Sequence, residues 1–293
     1  MTRAQEILQI AMKCNQTDDM LFNAYAISSD ETFDAVVIAP TWTPMRVNGF
    51  SNAQITDCKA LAAEKAKQHS QASTRQPLMK KNSESYIIEW ENLRIAWLKT
   101  GTCAGNVMDS VLFLSNSKTD RVIFVGAAGG VIPDVALSEV LTPSVCYDYL
   151  GATRYLQERL DWSDFGSEVH PGNPYFISQI FKIAQQQGID LISRPVFCTD
   201  TIMGEYIHIE AIRQTGASIV EMETAAFYRV ATLMEKAAVA FLVVSDNSSI
   251  GGSLSVPKTE DHLHYNQTIA DKIPTLIRIA CQVDTEYESA FNY

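Results

Sequence analysis

The chain has 293 residues, 46% of them hydrophobic and 19% charged, so it can bury a large core and lacks the composition of a disordered protein. Its formal net charge of −11 argues against binding to nucleic acid, which needs a basic face, and against docking on anionic lipid. The longest apolar run, residues 237–244, is too short to span a bilayer. Six widely spaced cysteines lack the close pairs that zinc and redox sites use, so we expect free thiols, no metal and a cytoplasmic protein.

Short β-rich runs alternate with helical patterns along the chain. Residues 1–14 predict an amphipathic helix, which opens an N-terminal helical extension over residues 1–34. The predicted strands are residues 35–39, 86–89, 94–98, 122–125, 140–147, 194–197, 218–220 and 239–244. The predicted helices are residues 52–70, 106–115, 174–187, 222–235 and 265–281, the last kinked or broken at Pro274. The polar residues 71–84 predict a mobile loop or an interface arm. Over residues 35–293 this alternation predicts a single α/β domain whose central mixed β-sheet is flanked by helices.

A glycine-rich turn follows directly on the predicted strand at residues 122–125. Glycines there, beginning with Gly126 and followed by Ala127, let backbone N–H groups approach a ligand closely, often an anion. The pattern is neither a Walker loop nor a dinucleotide fingerprint. On its own it is equally consistent with a tight structural turn.

Three acidic residues lie where predicted strands end. Glu221 and Glu223 flank Met222, between a short apolar strand and an alanine-rich helix. Carboxylates held there are candidates to accept hydrogen bonds from a sugar diol. The alternative, above all for Glu221, is a helix cap favoured by the helix dipole. Asp246 follows a buried strand, where α/β sheets place their ligand crevice, and the alternative is a turn or cap aspartate.

In type, order and spacing these segments resemble the purine nucleoside phosphorylase and uridine phosphorylase superfamily, which includes the methylthioadenosine/S-adenosylhomocysteine nucleosidases. The Glu-Met-Glu segment followed by Ala-Ala carries most of the resemblance, and Ser245-Asp246 is its expected companion. Residues 198–201 look like the family's segment before the base pocket, and residues 40–46 look like its phosphate loop. The likeness begins at about residue 35 and reaches the C-terminal helix.

The resemblance implies a nucleoside-cleaving site. Glu223 would bind the ribose hydroxyls, with Met222 packed under the sugar. Asp246 would protonate or hydrogen-bond N7 of a purine leaving group, a general acid role typically worth ~10²–10⁴-fold in rate. The aromatic residue that usually stacks on the base is replaced by Ile202, so stacking would fall to Tyr206 or another residue.

The anion site implied by the resemblance is half present. Arg46 matches the arginine of the phosphorylase loop, and Gly126 belongs to the anion-binding turn. However, Phe124 stands where the family has a phosphate-binding arginine, and Ala127 stands where it has a hydroxyl residue. Lys80 or Lys81 would complete a neighbouring subunit's site, unless this is simply a solvated loop.

The resemblance therefore predicts phosphorolysis of a nucleoside, with a purine base favoured, to ribose 1-phosphate and free base. Phosphate would be the co-substrate, no cofactor would be needed, and the enzyme would be a homo-oligomer. One alternative is a hydrolytic nucleosidase that releases free ribose, favoured by Phe124 and Ala127. Another is a non-catalytic nucleoside-binding or storage relative, against which the retained Glu223 and Asp246 argue.

Overall fold

Ten strands and ten α-helices make up the part of the chain that the computed structural model describes, residues 1–68, 83–160, 165–251 and 259–285. The strands are β1 (Ala35–Ala39), β2 (Gln54–Asp57), β3 (Glu84–Trp90), β4 (Leu93–Lys99), β5 (Arg121–Gly130), β6 (Val140–Asp148), β7 (Ser167–Val169), β8 (Leu191–Cys198), β9 (Ile219–Glu221) and β10 (Ala237–Asn247). The helices are α1 (Arg3–Cys14), α2 (Met20–Tyr25), α3 (Pro44–Val47), α4 (Cys58–Gln68), α5 (Ala104–Leu112), α6 (Pro174–Gln186), α7 (Ile202–Glu205), α8 (Ile209–Gln214), α9 (Thr224–Met234) and α10 (Thr259–Gln282). Within the described residues, no helix is long and apolar enough to cross a membrane.

All ten strands belong to one mixed sheet, part of which closes on itself. β5, β10, β6, β8 and β9 form a ring, because β10 pairs with both β5 and β6 while β9 pairs with both β8 and β5. From β5 the sheet continues through β1, β4, β3 and β2. β1 is parallel to β4 and β5, and β10 is parallel to β5, whereas β3 is antiparallel to both its neighbours. The predicted α/β domain with a central mixed sheet is confirmed.

The hydrophobic core lies on both faces of the sheet. Val36 and Ile38 of β1 belong to one buried cluster, with residues of α5 and α9, whereas Val37 and Ala39 belong to a second, with residues of α6 and α10. Neighbouring residues of a strand point to opposite faces. A strand covered on both faces is therefore apolar at every position, as β1 is.

The first 34 residues carry two helices that join the first of these clusters. Ala4 of α1 and Leu21 and Tyr25 of α2 are buried in it, and the Tyr25 hydroxyl lies 2.6 Å from the Ser110 hydroxyl of α5. The division of the chain at residue 35 stays a prediction.

Every predicted strand overlaps a strand of the structure, but the prediction of a helix over residues 52–70 was wrong at its start. Residues 54–57 form β2, in which Ile55 pairs with Ile88 of β3. The helix begins only at Cys58, because the Asp57 carboxylate accepts hydrogen bonds from the backbone N–H groups of Lys59 and Ala60, at 3.0 and 2.9 Å. β2 and β7 were not predicted. Most of the predicted loop at residues 71–84 lies outside the described residues, as do Lys80 and Lys81.

Of the kink or break expected at Pro274, the break does not occur, because α10 continues to Gln282. A proline has no N–H to donate to the carbonyl four residues earlier, here that of Ala270. Gly49, which follows α3, packs against that carbonyl. A Cβ at Gly49 would stand 2.1 Å from the Ala270 oxygen and 2.5 Å from Pro274 Cγ. A residue with a side chain at position 49 would therefore clash with α10 beside Pro274.

Candidate active site

A cavity of about 240 Å³ opens at the ends of β5 and β10, beside residues that follow β1, β4 and β8. Seven of the nine residues proposed from the sequence line it, namely Gly126, Ala127, Ile202, Glu221, Met222, Glu223 and Asp246. These residues come from segments far apart in the chain. The sheet therefore assembles the site.

The Glu221 carboxylate is held entirely by the protein. Its Oε2 accepts hydrogen bonds from the backbone N–H groups of Glu223 and Thr224, at 2.7 and 2.8 Å. Its Oε1 accepts from the Thr224 hydroxyl at 2.8 Å and from the Cys198 thiol at 2.7 Å. Burial raises the pKa of Glu221. A carboxylate has about four lone-pair sites, so these four donors use its accepting capacity.

Glu223 lies at the junction of β9 and α9 and reaches the start of α5. Its Oε1 accepts a hydrogen bond from the backbone N–H of Cys103, at 2.8 Å. Cys103 has φ +83°, a region that L-residues rarely occupy and that is found at functional sites. Burial, and then the nearby charge of Glu221, raises the pKa of Glu223 to about 8.

A β-bulge directs Asp246 into the cavity. The register between β10 and β5 shifts between Val244 and Asp246, which places Asp246 opposite Gly129. The Ser245 hydroxyl donates to Asp246 Oδ1 at 2.7 Å. Gly129 leaves room for the carboxyl, because a Cβ there would stand 3.3 Å from Oδ2. Burial raises the pKa of Asp246, which favours the protonated form that an acid catalyst needs.

A further carboxyl in the cavity, that of Glu205, was missed in the sequence. It ends α7, which begins after a Thr201 hydroxyl that accepts from the Gly204 N–H. Glu205 is 9% exposed and lines the cavity. Burial, and then the charge of Asp246, raises its pKa to about 7. A four-residue helix of sequence Ile-Met-Gly-Glu is too short to show a periodic pattern. The clue available in the sequence was that Glu205 follows residues 198–201, the segment that resembles the one before the family's base pocket.

Tyr206 and Arg46 do not line the cavity, although both lie close to it. Burial and the charges of Asp246 and Glu205 raise the pKa of Tyr206. Arg46 is exposed on α3, which follows the cavity-lining residues Pro40 and Thr41. Burial raises the pKa of Tyr265. The positive charge of Arg46 lowers that pKa, and the charge of Asp246 raises it.

Phe124 and Ala127 occupy the two positions where the anion site departs from the family. The Phe124 ring is buried against Phe227, with ring centroids 5.5 Å apart, and it fills the space beneath Gly126. Ala127 lines the cavity but brings no hydrogen-bonding side chain. No residue of this described lining is a lysine, arginine or histidine, whereas four carry carboxyl groups.

This arrangement can accept hydrogen bonds from a neutral polar ligand and can donate a proton at Asp246. Among the described residues, no three His, Cys, Asp or Glu side chains are grouped so that they could hold a metal ion.

Comparison with known proteins gives a consistent result. A sequence model of the phosphorylase superfamily matches residues 58–280. A purine nucleoside phosphorylase of the DeoD type from Anoxybacillus flavithermus is 26% identical over 188 residues, which cover 63% of this chain and 76% of that protein. The uridine phosphorylase of Vibrio fischeri superposes with a TM-score of 0.63 at 14% identity, covering 88% of this chain and 95% of the other. The 5′-methylthioadenosine/S-adenosylhomocysteine nucleosidase of Campylobacter jejuni superposes with a TM-score of 0.60 at 11% identity, covering 86% and 100%.

Proposed function

Because the chain belongs to the phosphorylase superfamily, we propose that it cleaves the bond between the ribose and the base of a purine nucleoside. The observation that carries this proposal is that Glu223 and Asp246 line one cavity. One carboxyl is suited to hold a sugar and the other to protonate a leaving group. A storage or binding protein would need neither.

Cleavage of this bond develops positive charge on the sugar and negative charge on the departing base. Burial raises the pKa of Asp246 and so favours its protonated form, which donates the proton to N7 of the purine. The Ser245 hydroxyl donates a hydrogen bond to Oδ1 of Asp246. The other oxygen, Oδ2, lies beside Gly129 and is therefore the one that carries the proton. Glu223, once ionised, accepts hydrogen bonds from the ribose hydroxyls, and Met222 packs under the sugar.

For the nucleophile we propose phosphate, bound at the rim of the cavity by Arg46. A guanidinium binds phosphate oxygens bidentately and keeps its charge. Backbone N–H groups of the turn at residues 126–130 add donors that the side chain of Ala127 lacks. No ion pair of Arg46 is seen within the described part of the chain, so its charge is available to a ligand.

Hydrolysis is the second candidate, because the described lining of the cavity has no cationic side chain. Each charge-assisted hydrogen bond is worth roughly 1.5–3 kcal/mol, so losing one weakens phosphate binding about tenfold or more. We therefore expect phosphorolysis with weak phosphate affinity.

The test is base release from inosine and adenosine with and without phosphate, with the sugar product identified. Phosphorolysis gives ribose 1-phosphate at a rate that rises with phosphate, and Arg46→Met should raise the phosphate KM. The matched control is Arg3→Met, because Arg3 pairs with Glu6 within α1. If base appears equally fast without phosphate, together with free ribose, the enzyme is a hydrolase and Arg46 has another task. That the enzyme acts in the cytoplasm, as a homo-oligomer and without a cofactor stays a prediction.

A further inference from the structure

The peptide bond between Thr102 and Cys103 is held on both sides where it borders the cavity. Its N–H, that of Cys103, donates to Oε1 of the cavity-lining Glu223 at 2.8 Å. Its carbonyl, that of Thr102, accepts a hydrogen bond from the side-chain amide of Asn106 at 2.7 Å. The N–H and the C=O of a planar trans peptide point in opposite directions. Asn106 and Glu223 therefore fix the same peptide from its two sides.

Cys103 has a backbone conformation that the peptide would leave if it could turn. Its φ of +83° and ψ of 142° lie close to a region that is essentially restricted to glycine, so a residue with a Cβ is strained there. Half a turn of the Thr102–Cys103 peptide would bring this φ to roughly −100°, in the broad β region. The N–H would then point away from Glu223. The observed orientation thus depends on the hydrogen bonds that hold it.

Asn106 departs from the usual hydrogen bonding at the start of a helix. It is the third residue of α5, and Cys103 is the residue that precedes the helix. In a capping box, the side chain at this third position accepts from the N–H of the residue before the helix. Asn106 instead donates to Thr102, which leaves the Cys103 N–H to Glu223. Glu223 thus takes the place that a capping side chain would fill.

Neighbouring residues keep Asn106 in position. Its amide packs against Gly101, where an added Cβ would stand 3.4 Å from Nδ2. Its backbone carbonyl accepts from the Ser110 hydroxyl at 2.6 Å, and the Tyr25 hydroxyl lies 2.6 Å from the same Ser110 oxygen. Tyr25 is itself buried, so these contacts anchor Asn106 to the hydrophobic core.

We propose that Asn106 is a positioning residue: its amide fixes the Thr102–Cys103 peptide so that the Cys103 N–H holds the Glu223 carboxylate ready for the ribose hydroxyls. The inference rests on the proposed function, because ribose is the proposed ligand of Glu223. The described lining of the cavity does not include Asn106, so it acts through the peptide and not by touching the ligand. A hydrogen bond accepted by the carbonyl also polarises the peptide, which makes its N–H a stronger donor.

Two substitutions test this role. Asn106→Ala removes the amide that holds the peptide. Asn106→Asp cannot donate once ionised, and its carboxylate can take the Cys103 N–H away from Glu223, as in a capping box. Because a carboxylate in the first turn stabilises a helix, Asn106→Asp should melt at or above the wild-type temperature although its activity falls. The matched control is Asn15→Ala, because Asn15 Nδ2 also donates to the carbonyl four residues earlier, that of Ala11, at 2.8 Å.

The first readout is the ratio of kcat/KM for inosine to that for 2′,3′-dideoxyinosine, which lacks the hydroxyls that Glu223 would bind. In both Asn106 variants this ratio should fall about tenfold, the effect of losing one hydrogen bond to a charged group. In Asn15→Ala it should equal the wild-type ratio. A residue that only stabilised the helix would lower the melting temperature and both rates together, so an unchanged ratio overturns the role of Asn106.

The second readout, hydrogen exchange at the Cys103 amide followed by NMR, does not depend on any reaction. Asn106→Ala should speed this exchange about tenfold or more, because the freed peptide no longer keeps its N–H on Glu223. The control Asn15→Ala should leave the exchange unchanged. An exchange rate unaltered in Asn106→Ala overturns the proposed role while the proposed function stands. If the exchange responds as expected but the wild type cleaves neither nucleoside, the proposed function fails, and the assignment of Glu223 to ribose fails with it.

Discussion

Glu221 and Glu223 are separated by one residue, yet the structure predicts opposite consequences for their loss. Glu221→Ala should destabilise the fold, whereas Glu223→Ala should abolish turnover in a folded protein. The Glu221 carboxylate closes the junction of β9 and α9 with four hydrogen bonds. Glu223 accepts a hydrogen bond from the backbone N–H of Cys103 and lines the cavity.

The size of the destabilisation in Glu221→Ala depends on which of the four donors can form a hydrogen bond with another acceptor. Without Glu221, the Thr224 hydroxyl can bond with the Cys198 and Cys146 thiols, which already lie 3.5 and 3.3 Å away. The backbone N–H groups of Glu223 and Thr224 have no such alternative. A buried donor left without a partner costs about 1–3 kcal/mol, so Glu221→Ala should lower the free energy of unfolding by about 2–6 kcal/mol. Relief of the buried charge places the expected value in the lower half of that range.

The assay is equilibrium unfolding in urea, with initial rates on inosine measured in parallel. Glu221→Gln is the matched control, because its carbonyl can still accept from both backbone N–H groups while the hydroxyl and thiol turn to accept from its NH₂. That variant should retain most of the stability lost in Glu221→Ala. If Glu221→Ala unfolds at the wild-type urea concentration but cannot bind nucleoside, Glu221 is a substrate ligand and the assignment is wrong.

Three further predictions concern the cavity. Asp246→Asn should slow cleavage of inosine by about 10²–10⁴-fold but affect 7-methylinosine far less, because its cationic base leaves without a proton; equal losses in initial rate on both would indicate a structural aspartate. Gly129→Ala should lower turnover with little change in melting temperature, because its Cβ would stand 3.3 Å from Asp246 Oδ2; normal activity would show that the carboxyl has room to move. Thermal melts should show stability falling as pH rises from about 5 to about 8, because Glu205 and Glu223, with pKa values raised to about 7 and about 8, hold protons in the folded state that the unfolded chain has released. Glu205→Gln should flatten that slope, and an unchanged slope would contradict the burial of its charge.

The strands could be predicted because burial on both faces leaves a strong local signal. β1 and β10 are apolar along almost their whole length, and each was predicted within a few residues of its bounds. β2 was missed because three of its four residues are polar, it lies at the edge of the sheet, and it precedes an alanine-rich helix. The break expected at Pro274 was also a local inference. The helix continues through Pro274, and Gly49, more than two hundred residues earlier, packs against the Ala270 carbonyl, a contact that no local pattern shows.

The site could be predicted in part, because most of its residues lie at the ends of predicted strands. Residue type alone could not separate Glu221 from Glu223, since β9 is only three residues long and its alternation ends at Glu221. Glu205 was not found because its burial depends on β10, which is distant in the sequence. Burial, and then the charge of Asp246, raises the pKa of this carboxyl, and the fold alone supplies both.

The distribution of charge in the cavity suits a reaction that creates a cationic sugar. Glu223, ionised once ribose hydroxyls donate to it, and the buried Glu221 beside it place negative charge where positive charge develops in the transition state. At the other end, burial raises the pKa of Asp246, which favours a neutral, protonated group beside the departing base of the proposed reaction. If phosphate is the nucleophile, as we propose, the same carboxyls would repel it, and a cation at the rim of the cavity would offset that repulsion. In the proposed phosphorolysis, Arg46 would therefore bring the nucleophile to the sugar without neutralising the carboxylates that would stabilise the cation.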